Sequence, residues 1–235
     1  ASANAGYRAN VASQASIGTA NDPAVVSLDR AIAARAGLAA NQCTAKAPYL
    51  VTAFGTQSSV TLPSTLDVVN DCPMVYTATA APGTTLALSA PPTITPGRST
   101  LYVKGDVIIN SNIIYNFAAT YPSVNLIPNL GIVATGDIII SPGVTRVDAS
   151  LYSLKQVKTC SAYPSPSCNQ KLTVRGKLAA ARGFVLGRNY RTSSGSVVAT
   201  GTTSADPAEL IIGSGLIEAF PPPGFVDLTV SASDQ

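Results

Sequence analysis

The chain has 235 residues, a formal net charge of +3 and only 11% charged residues, against roughly 25% in an average globular domain. Hydrophobic residues make up 46%; drawn mainly from Ala, Val, Ile and Leu, they exclude a disordered chain and suffice for one sizeable core. The absence of histidine excludes Ser-His-Asp and Cys-His catalytic arrangements and imidazole metal sites, and no run reaches the ~18 apolar residues of a membrane-spanning helix.

Ser, Thr, Asn and Gly fill much of the remainder, the profile of a β-rich extracellular protein rather than a cytosolic one that relies on charge for solubility. The first residue is Ala1, followed by the small-residue run ASANAG, which reads as a mature terminus left by removal of a signal segment. Residues 1–20 are small and polar, with Tyr7, Val11 and Ile17 as larger anchors. The stretch NDPAVVSLDRAIAARAGL predicts one helix, with Asp22 as its cap, Pro23 in its first turn and Gly37 just past its end. Residues 1–47 are therefore expected to form an arm and a capping helix.

From about residue 48 the period becomes strand-like. PYLVTAF, SSVTLP, MVYTATA and TTLALSA are short β runs separated by Gly, Pro and Ser. Three copies of an apolar run bent at glycine follow: LYVKGDVII around Gly105, IVATGDIII around Gly136 and LTVRGKLAA around Gly176, with a looser copy in LIIGSGLIEAF. Val103, Ala134 and Val174 precede the glycines by two residues, and Val107, Ile138 and Leu178 follow by two. Such copies predict the equivalent corners of a mainly β fold, a parallel β-solenoid over residues 48–220, in which each coil buries its inner face only by stacking on the next. The alternative is a β-sandwich with Gly-kinked hairpins. YNFAATYPSVNLIPN and CSAYPSPSC read as loops leaving the coils. Residues 221–235 comprise a Pro-rich spacer, then VDLTVSASDQ, whose Val226, Leu228 and Val230 alternate with polar residues as in a half-buried strand. That strand folds back on its own sheet or adds to a neighbouring subunit.

The cysteines are Cys43, Cys72, Cys160 and Cys168. An even count in a low-charge chain favours disulfides over metal or free thiols. Three connectivities are open, and the sequence-local pairs Cys43–Cys72 and Cys160–Cys168 are the expectation.

IPNLGIVATGDIIISPGVTRVDASLYSL, the cysteine pair, CNQKLTVRGKLAAARGFVLGRNYR and PAELIIG together resemble secreted surface proteins of candidate-phylum, ultra-small bacteria over about residues 99–215. The resemblance implies a parallel β-solenoid at the cell surface and carries over no catalytic residue.

For chemistry the sequence offers two acidic corners. Asp106 and Asp137 follow equivalent glycines, and stacked in adjacent coils they would lie about one strand spacing, ~4.8 Å, apart. Paired carboxylates could bind a cation or act on a polysaccharide; the plainer reading is an Asp that bonds local backbone in a turn. Lys177 at the third copy would extend them into an Asp–Asp–Lys column. Charge is also polarised along the chain. Lys155, Lys158, Lys171, Arg175, Lys177, Arg182, Arg188 and Arg191 stand without an acid between residues 151 and 200, whereas Asp206, Glu209, Glu218, Asp227 and Asp234 stand without a base after residue 200. The basic block, Lys171, Arg175, Lys177, Arg182, Arg188 and Arg191 above all, is a candidate patch for an anionic surface glycan, for the acidic tail of this chain or for that of a neighbouring copy. Nucleic acid is disfavoured because the block lacks interleaved aromatic residues. The expectation is a secreted structural protein, not an enzyme and without cofactor or metal, that assembles with copies of itself into a filament or coat. The alternative is a carbohydrate-binding adhesin or a polysaccharide-active solenoid enzyme.

Overall fold

The computed structural model describes residues 49–66, 72–95, 97–123, 126–161, 166–188, 207–213, 220–223 and 225. These residues wind into a parallel β-solenoid of about five turns, which carry the chain through six stacked coils. The first coil supplies β1 (Leu50–Gln57) and β2 (Ser59–Thr61), the second β3 (Met74–Ala80) and β4 (Leu86–Ser89), and the third β5 (Arg98–Lys104) and β6 (Val107–Ile109). The fourth supplies β7 (Asn129–Ala134), β8 (Ile138–Ile140) and β9 (Arg146–Val147). The fifth supplies β10 (Ser150–Ser153), β11 (Val157–Lys158) and β12 (Leu172–Arg175), and the last β13 (Leu178–Ala180), β14 (Phe184–Val185) and β15 (Glu209–Ile212).

Three parallel sheets result. The first runs β1-β3-β5-β7-β10-β13, the second β2-β4-β6-β8-β11-β14 and the third β9-β12-β15. Single parallel bridges, Thr65 to Thr95, Ile94 to Tyr115 and Ile113 to Val147, continue the third side through the earlier coils. The predicted runs around residues 50, 60, 75 and 87 fall on β1 to β4. Helical structure among the described residues is limited to short 3-10 turns such as Pro166–Cys168. The helix expected over residues 22–37 lies outside the described residues.

Register stacks like on like inside the solenoid. Leu86, Val107, Ile138, Val157 and Phe184 form one inward column, and Tyr76, Leu101, Ile132, Leu151 and Leu178 form another. Leu86, Leu101, Val107, Ile132 and Ile138 are fully buried. The middle strands of the first sheet, β5 and β7, are buried on both faces, which is why their sequences are near-continuous apolar runs.

The glycine corners are partly as expected. Gly105 lies between β5 and β6 and Gly136 between β7 and β8, so both turn the chain from the first sheet to the second. The Gly136 N–H donates to the Gly105 carbonyl at 2.9 Å, stacking one corner on the other. Gly105 has φ of +125°, and a Cβ added at Gly136 would collide with the Asp106 carboxylate and backbone. Gly176 is a corner of another kind. It joins β12 to β13, from the third sheet to the first, and its N–H donates to the Ile212 carbonyl at 2.9 Å. Its counterpart is therefore Gly213, directly after β15. Both corner types bend an apolar run at a glycine, so the local pattern does not distinguish them.

Candidate functional site

Asp106 and Asp137 stack in successive corners as their spacing predicts, and their carboxylates are used to join coils. Asp106 Oδ1 accepts the Asp137 N–H at 2.7 Å, and Asp137 Oδ1 accepts the Gln156 N–H at 3.0 Å. Each carboxylate thus satisfies a main-chain donor one coil further on. Lys177 does not extend the column, because it belongs with Gly176 at the other corner. The cations here are Lys155, 3.4 Å from Asp106, and Lys158, 2.5 Å from Asp137. Desolvation acts to raise the Asp137 pKa, but the hydrogen bonds from Lys158 and the Gln156 N–H, with the charges of Lys158 and Lys155, outweigh it and hold the carboxyl below its ordinary value.

Within the basic block the structure separates the residues. Arg175 and Arg182 are exposed, and Lys171 and Lys177 are half-buried. Arg188 is not available to a partner: it is buried, and its guanidinium donates to the carbonyls of Thr159, Ser141, Pro142 and Val144 at 2.5–2.9 Å. This side chain from the last coil reaches past the fifth to the fourth. Glu209 Oε1 accepts the Arg188 N–H at 2.7 Å and the Thr159 hydroxyl. Burial raises the Glu209 pKa, an effect partly offset by bonds from Thr159 and from the N–H groups of Arg188 and Gly187 and by the charge of Arg188. Arg191 lies outside the described residues.

Cys160 and Cys168 form a disulfide across the loop between β11 and β12. Cys72 is also disulfide-bonded; Cys43 lies outside the described residues. No helix among the described residues is long and apolar enough to cross a membrane, and those residues contain no group of three or more Cys, Asp or Glu placed to hold a metal ion.

The arrangement that the sequence did not reveal lies on the outward face of the first sheet. Val75, Thr100, Gly131 and Ser150 are in register there and form a row of mostly small residues. Beside it runs the row Thr77, Tyr102, Val133, Tyr152 and Ala179. The segment from Phe220 to Phe225 lies across this face. Asn129 Nδ2 donates to the Phe220 carbonyl, Arg98 Nε to the Pro221 carbonyl and the Thr100 hydroxyl to the Pro223 carbonyl, each at 2.6 Å. The Phe225 ring clusters with Val75, Tyr102, Val133 and Tyr152 and sits against the bare backbone of Gly131, where a Cβ would strike it. The spacer thus docks on a sheet face by side-chain-to-carbonyl bonds, without adding a strand. Val226, Leu228 and Val230 lie outside the described residues. The clue available in the sequence was the period-two placement of Thr100 beside Tyr102, Gly131 beside Val133 and Ser150 beside Tyr152, legible only once the coils are aligned.

Neither the family models nor the curated proteins nor the solved structures contain a match to this chain.

Proposed function

We propose that this is a secreted structural protein of a cell surface, neither an enzyme nor dependent on a cofactor, that joins copies of itself into a filament or coat through a terminal segment. The observation that carries this reading is where its polar side chains go. Asp106, Asp137, Arg188 and Glu209 all bond main-chain groups or side chains of neighbouring coils, so the groups best suited to chemistry serve cohesion. The ends of the stack direct attention to the termini. β1 is an edge among the described strands, and its pairing with β3 slips at Ala53/Gly55. An irregular edge of this kind resists simple edge-to-edge stacking. The Phe220–Phe225 clamp instead brings the chain to the sheet face just before VDLTVSASDQ. Secretion accords with the disulfides, and the resemblance over residues 99–215 points the same way. Removing residues 224–235 is expected to leave a folded monomer that no longer forms large particles in size-exclusion chromatography and negative-stain microscopy. Normal assembly of the shortened chain would refute the role of this terminus.

A second reading, a carbohydrate-binding adhesin, is favoured by one feature. Phe117 is 53% exposed in the loop between β6 and β7 and meets Tyr115 edge-on. Such a ring offers an apolar surface to a sugar face. Binding to a glycan array that disappears in Phe117→Ala would support it.

A further inference from the structure

We propose that the outward trough of the first sheet is a docking site for residues 220–225 of a second copy of this chain, so that the spacer closed on its own sheet is the self-occupied form of an exchangeable contact. The inference rests on the assembly reading above and names the surface and the segment that would carry it.

The trough is built for a peptide. Donors from Arg98, Thr100 and Asn129 meet three carbonyls of a six-residue stretch, and the gap at Gly131 accepts one aromatic ring. Side-chain donors on successive strands with an aromatic-lined recess are a recurrent way to hold a Pro-rich segment, whose restricted backbone loses little entropy on docking. None of these contacts uses the strand ladder. They depend only on the segment's own sequence and are equally available to the same segment from another molecule.

The closed form also carries a defect. Among the described residues Asn129 Oδ1 is buried without a hydrogen-bond partner, because the amide nitrogen is turned to the Phe220 carbonyl. Prolines at 221, 222 and 223 have no N–H to offer it. The defect is the same whichever copy supplies the segment, so it loosens both forms and favours neither. Tethering favours self-occupation: residues 213–219 connect β15 to the clamp and hold it at a high effective concentration. In an ordered assembly a neighbour's segment is held comparably close, and exchange then loses nothing.

The test separates donor from acceptor in full-length chains. Phe225→Ala leaves the trough intact and removes the anchor of the segment. Gly131→Val leaves the segment intact and closes the recess. Each variant alone is expected to lack the contact, while the mixture is expected to form a one-to-one complex by size-exclusion chromatography with light scattering. If Gly131→Val does not fold by circular dichroism, Gly131→Ala takes its place, since a single Cβ already meets the ring. A fluorescein-labelled peptide EAFPPPGFVDL should bind the Phe225→Ala chain at least tenfold more tightly than it binds the Gly131 variant. A mixture that stays monomeric, together with a peptide that does not discriminate, overturns the exchange. If wild-type protein still assembles in that case, the assembly reading survives and the trough is only an internal clamp. A mixed complex from a wild-type protein that never assembles establishes the docking site and refutes the assembly.

Discussion

The outward faces of the first two sheets differ although their inward faces are built alike. On the first, Val75, Tyr102, Val133 and Tyr152 are almost wholly buried and Phe225 lies among them. On the second, Ala87, Ile108, Ile139, Lys158 and Val185 stand in one register row and are all half-buried. A row of apolar side chains therefore does not by itself create a docking surface. The first face holds a segment because small residues at Thr100, Gly131 and Ser150 leave a trough beside the large ones, and because Arg98, Thr100 and Asn129 supply donors. The described row on the second contains no glycine and is interrupted by Lys158, which pairs with Asp137.

The sharpest way to break this contrast is to remove the anchor. Phe225→Ala should lower unfolding free energy in urea by about 3 kcal/mol, the cost of truncating a core aromatic, whereas Ile139→Thr on the other face should cost under about 1 kcal/mol. Equal effects would mean that the two faces are not distinct. The next largest effect is expected where the faces meet. Gly136→Val should destabilise by about 1–3 kcal/mol through overpacking against Asp106. Gly143, around which an added Cβ meets nothing, should accept Ala with little change.

Smaller effects test the polar joints. Asp137→Asn should cost about 1 kcal/mol, the value of a partly buried hydrogen-bonded pair. Because the folded pKa of Asp137 lies below its ordinary value, its contribution is present above the ordinary carboxylate pKa and lost as pH falls through the folded value. The variant should therefore flatten the acid side of a stability–pH curve. Glu209 has the opposite sign. Its folded pKa is raised, so its contribution is complete below the ordinary value and declines as pH rises through the folded one. Glu209→Gln should flatten the curve on that rising side, as thermal unfolding at a series of pH values would show.

Much of this architecture was legible in the sequence. Residues inward in the solenoid are also those flanking the glycines, as Val103, Ala134, Val107 and Ile138 show, because a corner places both neighbouring strands against one core. The Asp106–Asp137 stack was legible for the same reason. What escaped were relations across unequal loops. Gly176 resembles Gly136 locally but turns between different sheets, and Lys155 and Lys158 take the place expected of Lys177. Arg188 reads as one more surface cation in a basic run, and only the meeting of three coils makes it internal. The trough escaped because its residues come from four strands and its ligand from a segment 91 to 123 residues beyond the donors that hold it.

Whether this chain joins copies of itself is decided by sedimentation velocity of the full-length wild-type protein over a range of concentrations. The distribution should shift to larger species as concentration rises and revert towards a monomer in the chain lacking residues 224–235. A single monomeric species at every concentration, unchanged by the truncation, would rule out self-assembly through this terminus.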